Sequence, residues 1–163
     1  MRVVFDTNVW LDLLYFKDPT TETLNRTLQK LNARVYISEP CYQELCTVLQ
    51  YDDFWGVESN TEEIRKLVLK AATFVDTQIE DESHGFWCKD EDDIKLLQLA
   101  NSVEADYLLT KDHDLLKRRN RRAILPQTLS FVVLTPSKFV ASNSSINNTL
   151  NNFRNYSWSQ QLK

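Results

Sequence analysis

Short apolar runs that end beside an acid and lead at once into a helical pattern constrain this chain more than any other feature. Val3-Val4-Phe5 gives way to Asp6-Thr7-Asn8, and Tyr107-Leu108-Leu109-Thr110 gives way to Lys111-Asp112-His113-Asp114. Runs this short and this apolar suit strands buried on both faces, the kind found in parallel sheets. Asp, Asn, Ser and Thr at their ends suit helix starts, because their side chains accept from the backbone amides that a first helical turn leaves unpaired.

The same grammar recurs along the chain. After the strand at 2–5, Trp10, Leu11, Leu14 and Tyr15 give a helix an apolar face. Thr20 or Thr21 can cap a second helix carrying Leu24, Leu28 and Leu31. Residues 34–37 alternate like a strand, and Ser38-Glu39-Pro40 opens a helix to about Leu49. Residues 51–58 read as a polar and aromatic interruption. Thr61-Glu62-Glu63-Ile64 starts a further helix whose apolar face is Ile64, Leu67, Val68 and Ala71. A strand is predicted at 74–79, a helix from Asp92 or Asp93 carrying Ile94, Leu97, Ala100 and Val103, and strands at 107–110 and 131–134. Pro136 then begins a short last helix. Strands alternating with helices predict an α/β fold, a three-layer α/β/α sandwich around a central, mainly parallel sheet.

A chain of 163 residues suits one hydrophobic core. The expected division is a domain at 1–140 and an Asn/Ser-rich tail at 141–163 that is mobile or loosely docked through Leu150, Phe153, Tyr156 and Trp158. No run approaches the roughly 18 apolar residues of a membrane span, and the N-terminus meets Asp6 too soon for a signal peptide. Cys41, Cys46 and Cys88 are odd in number and match no metal-ligand spacing, which fits a reducing cytoplasm. A net charge of -4 argues against a protein that coats nucleic acid generally, so any RNA or DNA contact must be local.

Ligand crevices in parallel sheets open at the carboxyl ends of strands, where Asp6 and Asp112 are both expected and can face each other. Asp93, at a helix start, can project into the same crevice. Glu44, inside the third helix, is a candidate fourth acid. Carboxylates 4 Å apart repel by about 4 kcal/mol at an effective dielectric of about 20, and a divalent cation relieves that repulsion. Mg²⁺ and Mn²⁺ favour carboxylate, water and phosphate oxygens, the chemistry of phosphodiester hydrolysis.

The order and spacing of these segments resemble the PIN-domain nucleases, particularly the bacterial single-domain, VapC-like toxin ribonucleases. The resemblance covers about residues 1–140. It rests on Val4-Phe5-Asp6-Thr7-Asn8, Ser38 to Glu44-Leu45, Lys89 to Asp93 with Leu96-Leu97 and Leu99-Ala100, and Ala105 to Leu115. It implies that Asp6, Glu44, Asp93 and Asp112 are the catalytic, metal-binding acids, with Asp90 as runner-up to Asp93 and with Asn8, Asp90, Thr110 and Asp114 supporting them. It also implies Mg²⁺ or Mn²⁺ as cofactor, RNA as substrate, an antitoxin as possible partner and a possible homodimer. Lys111 stands where a glycine is common, and the Asn-rich tail has no counterpart in the shared core.

The basic run Lys117, Arg118, Arg119, Arg121 and Arg122 follows Asp112 closely enough to guide a phosphate backbone, although a solvated loop explains it equally well. Trp10, Trp55 and Trp87 can stack bases, but large aromatics more often fill cores. Asp12, Glu39 and Asp92 read as caps or surface charges, and His84 and His113 as outside the chemistry. An aspartyl-phosphate phosphatase would want a second acid where Asn8 stands. The remaining alternative is a catalytically silent RNA- or partner-binding domain holding a structural metal.

Overall fold

The computed structural model describes residues 1–16, 19–50, 61–76, 91–118 and 130–144. Within them the chain runs β1 (Arg2–Phe5), α1 (Thr7–Leu11), a π-helical turn (Asp12–Phe16), α2 (Pro19–Lys30), β2 (Arg34–Ser38) and α3 (Glu39–Gln50). It continues through α4 (Thr61–Ala71), β3 (Ala72–Val75), α5 (Glu91–Ser102), β4 (Tyr107–Leu109), α6 (His113–Arg118) and β5 (Val132–Leu134). A last helix, α7, occupies 136–144.

The five strands form one sheet in the order β3-β2-β1-β4-β5, with every neighbouring pair parallel. Helices and sheet make the expected three-layer α/β/α fold. The most central strands read as continuous apolar runs because they are covered on both sides: Val3, Val4, Leu108 and Leu109 are fully buried. Around them pack Leu24 of α2, Ile37 of β2, Leu45 and Leu49 of α3, Leu99 of α5 and Phe139 of α7. Trp10 belongs to this core, edge-on to Phe5 with ring centroids 5.1 Å apart, so it is packing and not a base-stacking platform. Trp55 and Trp87 lie outside the described residues.

Three expectations shift. β3 begins directly after α4 at Ala72, earlier than the predicted 74–79, because it is an edge strand whose alternation is only half enforced by burial. Phe74 on it is 40% exposed. On α4, Val68 is buried, whereas Leu67 is 48% exposed, so the predicted apolar face is narrower than the sequence pattern. The last helix carries on through Ala141, and Asn143 is buried with its Nδ2 donating to the Phe139 carbonyl at 2.8 Å. The helix therefore crosses the expected boundary at 140/141.

Helices α2 and α5 end without glycine. The residues that leave them, Asn32 and Glu104, take left-handed backbone conformations with φ of 48° and 46°. The amides of Ala33 and Ala105 reach back to the carbonyls of Leu28 and Ala100 at 2.9 and 2.8 Å, the bonding of a Schellman cap. These caps turn the chain straight into β2 and β4. Asn tolerates the left-handed region, whereas Glu adopts it at a steric cost. Replacing Glu104 with Gly is expected to raise stability by about 0.5–1 kcal/mol in urea denaturation. A loss of stability would show that the Arg2–Glu104 ion pair, 3.1 Å apart, outweighs that steric cost.

Candidate active site

From β1 the chain builds outward to β2 and β3 on one side, then returns to add β4 and β5 on the other. The switch of direction lies between β1 and β4, where an open parallel sheet forms a crevice beyond its carboxyl ends. Phe5 pairs with Leu109 in that register, and the Asp6 amide donates to the Leu109 carbonyl at 3.0 Å. One step beyond, adjacent strands therefore present Asp6 and Thr110 side by side.

Asp6 Oδ2 accepts from Thr110 Oγ1 and from Asn8 Nδ2, each at 2.5 Å. Thr110 Oγ1 in turn accepts from the Asp112 amide at 2.8 Å, and Asn8 Oδ1 accepts from the Lys111 amide at 3.1 Å. The hydroxyl proton is committed to Asp6, which leaves the oxygen lone pairs for the turn that carries Asp112. Asp6 is only 7% exposed. Burial lifts its carboxyl above the ordinary 3.8. The hydrogen bonds from Thr110, Asn8 and the Thr7 backbone oppose that rise, and the charge of Glu44 adds to it.

Glu44 reaches the site from α3. Cys41, Leu45 and Leu49 recur at intervals of four on its buried side, and Glu44 sits at the margin of that face. Its Oε2 lies 2.7 Å from Lys95 Nζ on α5, with the two side chains 32% and 20% exposed. Its charge also adds to the rise of the Cys41 thiol, which burial chiefly drives. Cys41 therefore stays a protonated thiol at neutral pH and is a poor metal ligand.

Asp112 occupies the turn before α6, and its Oδ1 accepts from the amides of Asp114 and Leu115 at 2.6 and 3.0 Å. It caps α6 as well as following β4. Asp114 gives its amide to that cap, while its own Oδ1 lies 3.5 Å from Lys117 Nζ on the exposed face of the helix. Asp93 is half-buried in the first turn of α5. Asp90, Arg119, Arg121 and Arg122 lie outside the described residues, as does the Arg118 side chain.

Among the described residues, no three His, Cys, Asp or Glu side chains come together closely enough to hold a metal ion. Two carboxylates have other engagements: that of Asp112 caps a helix, and that of Glu44 holds an ammonium. In kind, the carboxylate oxygens of Asp6, Glu44 and Asp112 are donors that a hard divalent cation favours.

The sequence pattern missed two residues at this end of the sheet. Lys95 carries no spacing signal, and Asp12 read as a cap or surface charge. Asp12 instead pairs through Oδ2 with Lys111 Nζ, its side chain 17% exposed on the π-helical turn. This pair ties the Lys111 turn to the helical segment after β1. Beyond it a cavity of about 540 Å³ is walled by Val9, Leu24, Leu116 and Val140 and edged by Asp12 and His113. Thr20, Thr21, Thr23, Thr135 and Ser137 add hydroxyls to its lining, and Lys111 an ammonium.

The chain belongs to the PIN-domain family: the family profile described as PIN domain matches residues 2–114. Among solved structures it is similar to VapBC2 from Rickettsia felis bound to a DNA fragment from its promoter, at 14% identity and a TM-score of 0.60. That likeness covers 83% of this chain and 98% of the other. It is also similar to VapBC-1 from nontypeable Haemophilus influenzae, at 14% identity and a TM-score of 0.55, covering 84% of this chain and 99% of the other. At such identity these likenesses establish the shared fold. Comparison with curated proteins gives no match.

The Asp6 environment has a measurable pH signature. A carboxyl whose folded value is raised binds its proton more tightly folded than unfolded, so ionising it costs stability as pH rises from its ordinary value of 3.8 through the folded value. In metal-free protein, Asp6→Asn is expected to gain melting temperature relative to wild type as pH rises from about 4 to neutrality. A difference that stays flat across that range would contradict the raised carboxyl. Thr110→Val removes one of the donors that hold Asp6 and takes the acceptor from the Asp112 amide, and is expected to lose about 1–3 kcal/mol in urea denaturation at neutral pH.

Proposed function

We propose that this chain is a metal-dependent endoribonuclease that hydrolyses RNA phosphodiester bonds, and that it acts as the toxin of a toxin–antitoxin pair. The observation that carries the reading is the placement of buried Asp6 at the β1/β4 switch point. It is held there by Thr110 and Asn8 and lies within electrostatic reach of Glu44.

In this reading Asp6, Glu44, Asp93 and Asp112 hold Mg²⁺ or Mn²⁺, with Asp90 as the substitute for Asp93. A divalent ion there would supply a Lewis acid for the phosphate and a lowered pKa for an attacking water. The chain's own part is positional. Thr110 and Asn8 fix the Asp6 carboxylate in one orientation, and the Thr110 link to the Asp112 amide keeps two strand ends in register around it. Partial burial strengthens every charge interaction at the crevice. Lys117 and the arginines at 118, 119, 121 and 122 guide the RNA backbone toward it.

The antitoxin reading draws support from the family and from the fold shared with two VapBC proteins. The partner's expected contact is a basic side chain on the acids, as Lys95 already makes on Glu44. A homodimer and a cytoplasmic setting complete the proposal. The latter agrees with unpaired Cys41 and Cys46.

Cleavage of a mixed RNA pool in Mg²⁺ or Mn²⁺ tests the reading. Wild type is expected to cut, Asp6→Asn and Glu44→Gln to lose on the order of 10²-fold or more in rate, and chelation to abolish cutting. Equal cutting by wild type and Asp6→Asn would remove the site. Metal-dependent stabilisation without cleavage of any nucleic acid would favour the catalytically silent binding domain instead.

A further inference from the structure

Lys95 is the unexpected member of this site, and its geometry bears on how the acids behave before a metal arrives. We propose that Lys95 is a built-in counterion of the acid site: it occupies Glu44 while no metal is bound and competes with a divalent cation for it, so it sets how tightly the site takes metal. The inference rests on the metal-site reading above.

Two helices fix the pair in place. Leu45 and Leu49 bury α3, Leu96, Leu97, Leu99 and Ala100 bury α5, and the two helices pack on each other. Glu44 and Lys95 therefore project from anchored backbones toward a contact of 2.7 Å, with at least two thirds of each side chain shielded from water. That separates the pair from the exposed Lys117–Asp114 and Arg26–Glu22 pairs, which lie along single helices in solvent. Shielding also preserves the repulsion between Asp6 and Glu44, which adds to the rise that burial gives the Asp6 carboxyl. Two neighbouring carboxylates in a partly buried crevice need positive charge, and Lys95 supplies it from within the fold.

A divalent cation brings twice that charge to the same acid. It must then share Glu44 with an ammonium of like sign or displace it. The flexible four-carbon stem of lysine allows displacement without moving α5. Lys95 would in this way keep the metal-free protein stable while holding metal affinity below what the acids alone would give.

A bridge that only ties α3 to α5 predicts something different, and the full-length chain separates the two without any measurement of cleavage. Lys95→Met keeps the aliphatic stem and removes the charge, Lys95→Gln is a second uncharged variant of different shape, and Lys95→Arg keeps the charge. Mn²⁺ affinity is read by isothermal titration calorimetry, and melting temperature by scanning calorimetry with and without Mn²⁺. The uncharged variants are expected to bind Mn²⁺ at least about tenfold more tightly than wild type, since a unit charge a few ångströms from a divalent ion is removed. Their metal-free melting temperature should fall, and their rise on adding Mn²⁺ should exceed that of wild type. Lys95→Arg should stay close to wild type in affinity.

Wild-type Mn²⁺ binding that is unchanged or weakened in both uncharged variants overturns the role of Lys95 and leaves the metal site standing. An equal fall in melting temperature with and without Mn²⁺ has the same meaning. Absence of Mn²⁺ binding in wild type and variants alike overturns the metal site, and this inference with it.

Discussion

Parallel hydrogen bonding between β1 and β4 brings together parts of the chain about a hundred residues apart, and the candidate site depends on it. Val3, Val4 and Phe5 pair with Tyr107, Leu108 and Leu109, so the residues that follow, Asp6 and Thr110, emerge side by side. A slip of one residue would turn the buried side chains of either strand to the opposite face. The fully buried Val3, Val4, Leu108 and Leu109 oppose any such slip, and in doing so they hold the Thr110–Asp6 hydrogen bond in place. Core packing and site geometry here share one cause.

Charge is handled by the same economy of means. Asp6 is buried at 7% exposure, which by itself favours its neutral form. Thr110, Asn8 and the Thr7 backbone lend it hydrogen bonds that favour the anion, whereas Glu44 opposes ionisation. The Lys95 ammonium on Glu44 then balances the second acid. The result is a crevice whose acids are individually partnered, by hydroxyl, amide, helix cap or ammonium, and not gathered around a shared point. Lys111 plays a comparable part on the other side. Its amide holds Asn8, and its ammonium meets Asp12 of the π-helical turn.

How legible each part was follows from the range of the interaction behind it. Strands β1 and β4 could be read because burial on both faces selects short apolar runs, β2 because its residues alternate, β5 because Phe131, Val133 and Leu134 are buried although Val132 on that edge strand is exposed, and α2, α3 and α5 because an amphipathic face leaves a period of three and four. β3 was displaced because an edge strand is half solvated and its alternation is not enforced. The ends of α2 and α5 lacked the usual glycine signal, since Asn32 and Glu104 take the left-handed position themselves. Asp6, Asn8, Thr110 and Asp112 could be named as polar residues at strand ends, and hydrogen bonds join Asp6 to Asn8 and Thr110, with the Asp112 backbone amide tied to Thr110.

The sequence by itself determined the α/β alternation, the parallel sheet and the PIN-domain pattern, because local periodicity and the chemistry of strand and helix ends are written residue by residue. Only the tertiary structure decided which charges face one another. The Lys95–Glu44 and Lys111–Asp12 pairs depend on side chains from separate elements converging in space. A Coulomb interaction depends on distance in three dimensions and leaves no period in the chain for a reader to find.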